Sequence, residues 1–334
     1  MMIKKNKVIF EHDKPFLIAE VGINHNGSLA LAKKTILKAK KCGASAVKIQ
    51  TFKTESFCQK SSKYYSLFKS VELNAKQISS LYKFAKQNNI LLFSSVFDEW
   101  SIDLNYKNKA QLLKIASGDI TNLPLIEYAS KKKLPIIIST GGSTIKEIEE
   151  AIKSVTLINK KIKIALLHCV SKYPAEANEC NLKSMKAIKE KFKLPVGFSD
   201  HTIGIETSIS AVALGAEIIE KHFTLDKNLP GPDHKLSFDP NEFKKLSLAL
   251  KTAYLSIGNE KKKVVEGKEN VKQLRRSLFA AVNIKKNTVI KKSMIVIARP
   301  EKGLKPKYLK LILGKKAKRA ISKGLPLQKS MFIF

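Results

Sequence analysis

The chain has 334 residues, of which 44% are hydrophobic. That length is enough for one barrel-sized core and a small second domain, which excludes a disordered protein. No apolar run approaches the roughly 20 residues that a membrane-spanning helix needs. Residues 1–7 also lack the apolar stretch of a secretory signal. We therefore expect a cytoplasmic protein that does not span a membrane.

The net charge of +34 is the feature that most needs an interpretation. A strongly basic chain is typical of nucleic-acid binding. However, lysines occur all along the chain, in runs such as residues 131–133 and 261–263, and no aromatic-studded basic motif accompanies them. We expect a solvated, lysine-rich surface and no nucleic-acid partner. A non-enzymatic nucleic-acid binder is the alternative, and it rests on charge alone.

The four cysteines indicate neither a disulfide framework nor a metal centre. They form no CxxC pair and no metal-finger spacing, and a chain of this size does not need disulfides for stability. We predict free, reduced thiols at Cys42, Cys58, Cys169 and Cys180.

Short apolar runs rich in Ile, Val and Phe alternate with amphipathic segments. Segments between the runs, such as residues 28–42 and 144–158, carry apolar residues three and four apart, which is helical spacing. Apolar strands that alternate with such helices indicate a parallel sheet covered by helices. Eight units in about 250 residues predict a closed (β/α)8 barrel, the TIM barrel. The runs are residues 15–22, 46–52, 91–97, 112–117, 135–140, 162–170, 195–200 and 217–223.

Polar residues crowd the carboxyl ends of the predicted strands, where the active sites of this fold lie. Residues two apart on a strand share one face, so Lys48 and Gln50 can point together into the barrel mouth, as can Glu220 and His222. The strand-end residues are Glu20, Lys48, Gln50, Ser94, Ser95, Lys114, Ser117, Ser139, Thr140, His168, Ser199, Asp200, His201, Glu220, Lys221 and His222.

Some of these residues have a simpler structural explanation. Ser94 and Ser143 are as consistent with helix caps or turns as with chemistry. Lys221 should point away from the mouth and form a salt bridge, because its neighbours on the strand face inward. His168 is better explained as a histidine that is hydrogen-bonded behind the site.

Glu20, Lys48 and Lys114 are different, because an unpaired charge at the end of a buried strand is costly. These three residues must either pair with one another or bind a charged ligand. Either arrangement makes the barrel mouth a candidate site.

The strand ends also match the motifs of a known family. The chain resembles the sialic acid synthases, that is, the N-acetylneuraminate synthases and their legionaminic and pseudaminic acid relatives. The matching motifs fall on seven of the eight predicted strands, in the right order. They are AEVGINHNG at 19–27, VKIQTF at 47–52, KIASGD at 114–119, STG at 139–141, HC at 168–169 with YP at 173–174, FSDHT at 198–202, EKHFTL at 220–225 and GPDH at 231–234.

The resemblance continues beyond the barrel. It predicts a barrel domain over residues 1–260, a linker over 261–276 and a small antifreeze-like (SAF) domain over 277–334. The SAF domain carries two similar turns, IKKN at 284–287 and ISKG at 321–324. The family arrangement is a domain-swapped homodimer, in which this domain places Arg299 over the partner's sugar site. Without the resemblance, Arg299 would be a surface arginine before a turn proline.

The resemblance implies an enzyme that condenses phosphoenolpyruvate with N-acetylmannosamine or a close N-acetylated hexose. The products would be N-acetylneuraminate, or a close analogue, and phosphate. It also implies a divalent metal, Mn²⁺ with Mg²⁺ or Co²⁺ as alternatives, that is held by His201 and His222 and polarises the sugar aldehyde. Glu20 would stabilise the positive charge that develops on phosphoenolpyruvate, or take a proton from the attacking water.

The family motifs divide the remaining residues between the two substrates, and they place Lys48 among the catalytic residues. Lysines supply point charge and serines supply hydrogen bonds to the phosphate and carboxylate of phosphoenolpyruvate. The phosphoenolpyruvate positions are Lys48, Ser95, Lys114, Ser117, Ser139, Ser171 and Ser199. The sugar positions are Gln50, Asp119, Tyr173, Glu220, Asp233 and Arg299.

The identity of the sugar stays open, because the chain departs from the family pattern around the substrate. The segment GPDHK at 231–235 favours the neuraminate and legionaminate branches over the pseudaminate branch. Legionaminic acid synthesis from a 2,4-diacetamido-trideoxy hexose is the alternative. A barrel enzyme that uses a phosphorylated aldose is a further one, against which the antifreeze-like tail argues. The departures are at Val96, Asp119, Gly142 and Ser171.

Overall fold

The computed structural model describes residues 15–334, so the N-terminal residues 1–7 discussed above lie outside the described residues. The chain divides into two compact units, with the boundary in the sequence between Gly258 and Asn259. Within residues 15–334, no helix is long and apolar enough to cross a membrane. The four cysteines are free, as predicted.

Eight parallel strands close into a barrel, in which each strand pairs with the next and the eighth returns to the first. The predicted (β/α)8 barrel is therefore confirmed. The strands are β1 (Phe16–Gly22), β2 (Ala46–Thr51), β3 (Leu91–Val96), β4 (Leu113–Ile115), β5 (Ile136–Ser139), β6 (Ile164–Cys169), β7 (Val196–Asp200) and β8 (Ile218–His222).

Helices cover the outside of the barrel, and their starts follow from local sequence. Thr144 and Glu147 form a capping box at the start of the seventh helix. Asp239 caps the tenth helix, which has Pro240 in its first turn. The helices are α1 (Leu29–Lys41), α2 (Thr54–Phe57), α3 (Tyr65–Val71), α4 (Ala75–Gln87), α5 (Glu99–Lys107), α6 (Leu123–Lys131), α7 (Ile145–Ile158), α8 (Lys183–Phe192), α9 (Glu206–Ala213) and α10 (Pro240–Ile257).

The two-residue period of the strands sets the depth of each inward-facing side chain. An apolar cluster fills the lower part of the barrel, and it includes Ile18, Ala46 and Ile218. Two residues further along the same three strands stand Glu20, Lys48 and Glu220, all of which are buried. The same step leads from Phe93 to Ser95, from Leu112 to Lys114 and from Ile137 to Ser139. A layer of polar groups therefore rests directly on an apolar plug.

The end of β1 depends on a glycine. The register between β1 and β2 shifts between Glu20 and Gly22, and Gly22 has a φ of +53°. A Cβ at this position would lie 3.2 Å from Glu20 Oε1 and 3.7 Å from Asp233 Oδ2. The left-handed backbone and the close approach of the Glu20 carboxylate explain why the chain has glycine here.

The second unit is a small domain with its own core. It contains helix α11 (Lys268–Leu274), which falls inside the predicted linker, and helix α12 (Leu309–Ile312). Strand β9 (Ser277–Ala280) pairs with β10 (Ile295–Ala298), and β11 (Lys316–Ala317) pairs with β12 (Phe332–Ile333). The two predicted turns meet through Ile284 and Ile321, whose backbone groups exchange two hydrogen bonds of 2.8 Å each. Buried core residues include Leu278, Ile290, Ile312, Leu327 and Phe332.

Candidate active site

A cavity of about 760 Å³ opens at the carboxyl ends of the barrel strands. Every predicted site residue of the first unit lines it. These residues are Glu20, Lys48, Gln50, Ser95, Lys114, Ser117, Asp119, Ser139, Ser171, Tyr173, Ser199, His201, Glu220, His222 and Asp233. The remaining predicted residue, Arg299, belongs to the second unit and directly follows β10. The role of Arg299 stays a prediction.

Two lysines and two glutamates form a buried cluster at the base of this cavity. Lys48 Nζ lies 3.0 Å from Glu20 Oε2 and 3.3 Å from Glu220 Oε1. Lys114 Nζ lies 3.1 Å from Glu220 Oε2. These four residues, which we call the charge cluster, are each at most 5% exposed. The charges predicted to need partners therefore pair with one another across four strands.

The two carboxyl groups of the charge cluster are not equivalent. Burial alone would raise the pKa of Glu220, but Lys114 and Lys48 together lower it to about 2. Burial raises the pKa of Glu20 to about 7, although Lys48 opposes the shift. The difference follows from the contacts, since Glu220 also accepts a hydrogen bond of 3.2 Å from Ser199 Oγ. A pair of carboxyls with well-separated pKa values is suited to acid–base chemistry.

Serines and a cysteine also line the cavity at the ends of β4 to β6. Ser117 Oγ accepts a hydrogen bond of 3.0 Å from the Gly141 backbone N–H and lies 3.0 Å from Cys169 Sγ. A Cβ at Gly141 would stand 2.4 Å from Ser171 Oγ and 2.5 Å from Cys169 Sγ, so only glycine fits. Ser139 Oγ is buried, and within the described structure it has no hydrogen-bond partner. The Ser139 hydroxyl is therefore free to bind a ligand.

His201 and His222 lie side by side, with 5.6 Å between their ring centroids. His201 Nδ1 donates a hydrogen bond of 2.7 Å to the Val170 carbonyl, which leaves Nε2 unprotonated. His222 Nδ1 is buried and has no hydrogen-bond partner among the described residues. Burial lowers the pKa of His201, and it lowers that of His222 to about 4. Both imidazoles are therefore neutral at pH 7.

Two neutral imidazoles with available nitrogens fit a divalent metal ion. The pair does not make a complete site. Within residues 15–334, no group of three or more His, Cys, Asp or Glu side chains is arranged to hold a metal. An ion bound by His201 and His222 would take its other ligands from solvent or substrate.

Asp233 is held by hydrogen bonds between the loops that follow β1 and β8. Asn24 Nδ2 donates to the Phe223 carbonyl over 3.0 Å and to Ser237 Oγ over 2.8 Å. Ser237 Oγ donates in turn to the Asp233 carbonyl over 2.6 Å. The Asp233 carboxylate lies 4.0 Å from His222 Nδ1. This chain of hydrogen bonds positions the Asp233 backbone, and the Asp233 carboxylate lies beside the histidine pair.

Three residues that the sequence assigned a structural role, Lys221, His168 and Ser143, lie outside the cavity lining. Lys221 Nζ pairs with Asp200 Oδ2 at 3.1 Å, so the predicted salt bridge is confirmed. His168 Nε2 lies 2.7 Å from the Cys180 carbonyl, behind the site as predicted. Ser143 Oγ donates to the Thr140 carbonyl within a turn.

Two groups of cavity residues were not predicted from the sequence. One is a set of apolar side chains, most of which come from the segment between β2 and α4, where α2 and α3 are inserted. The other consists of small or polar residues from several strand ends and loops. The sequence offered one usable signal, which is the concentration of aromatic residues after β2. The unpredicted lining residues are Ile23, Ser56, Phe57, Tyr64, Leu67, Phe68, Phe97, Ala116, Gly118, Asn122, Cys169 and Pro232.

Known proteins share both units of this chain. Residues 35–262 match the NeuB family, and residues 275–333 match the SAF domain. The chain belongs to the NeuB family. The predicted resemblance to the sialic acid synthases and the predicted SAF domain are therefore both confirmed.

The relatives of this NeuB-family chain include named synthases. It is 43% identical to an uncharacterized protein of Methanocaldococcus jannaschii, over 94% of this chain and 93% of the relative. It is 41% identical to the N,N'-diacetyllegionaminic acid synthase of Campylobacter jejuni, over 90% of this chain and 95% of the relative. The solved N-acetylneuraminic acid (sialic acid) synthetase of Leptospira borgpetersenii, in complex with citrate, has a TM-score of 0.74. It is 36% identical and covers 79% of this chain and 92% of its own. The chain is therefore an enzyme of the sialic, legionaminic and pseudaminic acid synthase family.

The raised pKa of Glu20 predicts how stability depends on pH. A carboxyl group whose pKa is about 7 in the folded state and about 4.5 in the unfolded state binds more protons when folded between these values. Its stabilising contribution is therefore complete below about pH 4.5 and is lost as the pH rises through 7. As the pH rises from 4.5 to 8, the unfolding free energy of wild type should therefore fall by roughly 1–3 kcal/mol relative to that of Glu20→Gln.

Urea unfolding of both proteins at several pH values, in the presence of a chelator, measures this difference. A constant offset between the two curves is unimportant, because only the pH dependence reports on Glu20. Parallel curves over this range would contradict the raised pKa.

Proposed function

We propose that this chain condenses phosphoenolpyruvate with the open-chain form of an N-acetylated hexose, giving a nonulosonic acid and phosphate. The observation that carries the proposal is the charge cluster. Lys48 and Lys114 bring two buried ammonium groups to a cavity that serine hydroxyls also line, and two of these serines, Ser95 and Ser199, contact the charge cluster directly. A small, multiply charged anion is the ligand that such an arrangement suits.

Phosphoenolpyruvate would lie against the lysines and the serine side of the cavity. Ser139 Oγ, which lacks a protein partner within residues 15–334, is available for its phosphate or carboxylate. Glu220 was expected on the sugar side. Its contacts with Lys48 and Lys114 favour a further role, in which it holds both ammonium groups in place for the anion.

The proposed reaction joins carbon three of phosphoenolpyruvate to the aldehyde carbon of the sugar. The electron pair of the enol double bond forms the new carbon–carbon bond, and positive charge develops at carbon two. At the same time the carbonyl π pair moves to the aldehyde oxygen, which takes a proton from solvent and becomes a hydroxyl group. Glu20 is the carboxyl group that would face this charge, and its pKa near 7 allows it to take a proton from water as that water adds. Phosphate then leaves with the bridging oxygen, and a 2-keto acid remains.

His201 and His222 would hold a divalent ion, with manganese as the first candidate and magnesium or cobalt as alternatives. When bound, such an ion supplies Lewis-acid polarisation of a carbonyl oxygen. Asp233, whose carboxylate lies 4.0 Å from His222, would orient the sugar together with Gln50 and Tyr173, which also line the cavity.

N-acetylmannosamine is the simplest substrate that fits this scheme, and its product would be N-acetylneuraminate. A 2,4-diacetamido-trideoxy hexose, the precursor of a legionaminic acid, is the second candidate. It is supported by the 41% identity to the C. jejuni enzyme named for that product. A pseudaminic acid precursor is less favoured, because the GPDHK segment resembles the other branches more.

Phosphate release from phosphoenolpyruvate, measured with a panel of N-acetylated hexoses, tests the reaction. We expect release that depends on the sugar, is abolished by a chelator and is restored by manganese. Glu20→Gln should retain the fold and lose at least about 100-fold in kcat, because the negative charge that faces the developing cation is gone. Ser143→Ala, which alters a hydroxyl outside the cavity lining, is the matched control and should keep wild-type activity.

Three results would contradict the proposal. One is the absence of phosphate release with every sugar of the panel. Another is full activity without any divalent metal, which would remove the role of the histidine pair. The third is activity of Glu20→Gln within about threefold of wild type.

We also propose that each active site is completed by Arg299 of a partner subunit in a domain-swapped homodimer. Arg299→Ala and Glu20→Ala should each be nearly inactive alone. If Arg299 acts in trans, a mixed dimer contains one doubly altered site and one intact site. Random pairing makes half of the dimers mixed, so an equal mixture that is unfolded and refolded should recover about a quarter of wild-type activity.

The control is each variant refolded alone, with the dimeric state checked by light scattering. If Arg299 serves its own barrel, both sites of a mixed dimer carry one lesion and no activity returns. The absence of recovery from refolded, dimeric mixtures would therefore contradict the swapped arrangement.

A further inference from the structure

A second buried ion pair lies behind the histidine pair, at the ends of β7 and β8. Lys221 Nζ is 3.1 Å from Asp200 Oδ2, and each of the two residues is only 1% exposed. They are register partners on adjacent strands, and neither lines the cavity. In the sequence, Asp200 directly precedes His201 and Lys221 directly precedes His222. Each member of the ion pair is therefore the chain neighbour of one histidine.

Asp200 closes the chain around His201. Its Oδ1 atom accepts hydrogen bonds from the Thr202 backbone N–H at 2.8 Å and from the Thr202 hydroxyl at 2.7 Å. Because Thr202 follows His201, the carboxylate bridges the two residues that flank the histidine, as in an Asx turn. Ser208, in the first turn of α9, donates to the other carboxylate oxygen. The turn that carries His201 is thereby tied to the outer helix.

Lys221 connects this turn to the segment that holds His222. Its ammonium group donates hydrogen bonds to the Thr202 carbonyl and, over 3.4 Å, to the Gly204 carbonyl. It also lies 4.5 Å from the centre of the Phe238 ring, a distance at which a cation is attracted to a ring face. The Phe238 backbone N–H donates to the His222 carbonyl over 2.9 Å. One buried ammonium group therefore contacts the chain next to both histidines.

A stabilising role alone does not account for this ion pair. The desolvation of two buried charges offsets much of their attraction, and apolar residues of similar volume are often at least as stable. What the ion pair supplies is a defined position, because both charges have several partners in fixed directions. Position matters at a metal site that relies on two protein nitrogens, since their separation decides whether both can reach one ion.

We propose that Lys221 and Asp200 form a positioning pair, which holds His201 and His222 at the separation that one divalent ion requires. The inference rests on the metal-binding role proposed above for the histidines, whose ring centroids are 5.6 Å apart. Neither residue of the positioning pair would touch the ion or a substrate, since both lie outside the cavity lining. Removing groups that orient metal ligands in this way typically weakens metal binding about 10- to 100-fold.

The main test is the double variant Asp200→Asn/Lys221→Met, because Lys221→Met alone would leave a buried carboxylate without its cation. Asparagine keeps an oxygen that accepts the Thr202 hydrogen bonds, and methionine keeps an unbranched side chain. The ionic tie between the His201 turn and β8 is lost. The Kd for Mn²⁺ alone, measured from the EPR signal of the free ion, should rise about 10- to 100-fold. Phosphate release should fall at limiting Mn²⁺ and recover when Mn²⁺ exceeds the new Kd.

Ser208→Ala is a milder second variant. It removes one hydrogen bond to Asp200 and leaves both charges paired, so it tests the positioning pair even where the double variant does not fold. We expect its Kd for Mn²⁺ to rise about threefold, as a smaller part of the same effect. An unchanged Kd in Ser208→Ala, with a double variant that is unfolded, would overturn the positioning pair.

Asn105→Ala is the matched control for the loss of a buried polar group. Asn105, on α5, accepts a hydrogen bond from Tyr82 and donates to the Ser101 carbonyl, outside the cavity lining. The substitution should lower stability in urea and leave the Kd for Mn²⁺ unchanged. His201→Ala is the control for the site itself and should lose Mn²⁺ binding. Circular dichroism and urea unfolding of every variant distinguish a change in affinity from a loss of structure.

The outcomes separate the positioning pair from the metal site. Binding of Mn²⁺ that is lost in His201→Ala and weakened at least about tenfold in the folded double variant supports both. A folded double variant that binds Mn²⁺ as tightly as wild type would overturn the positioning pair and leave the metal site standing. Equal weakening in Asn105→Ala would do the same. Wild type that binds no Mn²⁺, or His201→Ala that binds it as tightly as wild type, would overturn the metal site and the positioning pair with it.

Discussion

The constraint on which this site depends is the burial of two lysines and two glutamates at one level of the barrel. Ionic groups in such a place are tolerated only when they are paired, and removing one partner of a buried pair costs about 3–5 kcal/mol. Lys48 is shared between Glu20 and Glu220, and Lys114 is satisfied by Glu220. The two-residue period of the strands brings all four to the same depth, above an apolar plug. The barrel therefore carries a preformed polar centre before any substrate binds.

Sharing one lysine between two carboxylates gives the site its chemical asymmetry. Glu220 has two lysines and a serine donor, so it stays ionised and keeps the ammonium groups in place. Glu20 has one lysine and exchanges its proton near neutral pH. Around this centre the cavity is lined both by serine hydroxyls and by apolar side chains, most of which come from the segment between β2 and α4.

Much of this arrangement could be predicted from the sequence. The barrel follows from eight apolar runs and the spacing between them, and the inward residues follow from the two-residue period. The pairing of particular charges could not be predicted, because Lys114 and Glu220 are 106 residues apart and meet only when the barrel closes. The apolar side chains that line the cavity after β2 were missed for a similar reason. Helices α2 and α3 add to the eight-unit pattern, and their anchor, Glu72, forms its contacts only in the folded chain.

The central claim is that carbon two of phosphoenolpyruvate becomes the cationic centre that faces Glu20. It is tested most directly by labelling the oxygen that bridges carbon two and phosphorus with ¹⁸O and following the label by mass spectrometry. The account predicts that the label leaves entirely with phosphate, because water adds to carbon two and the carbon–oxygen bond breaks. Label retained in the 2-keto acid would mean that water attacks phosphorus instead, and the role assigned to Glu20 would be wrong.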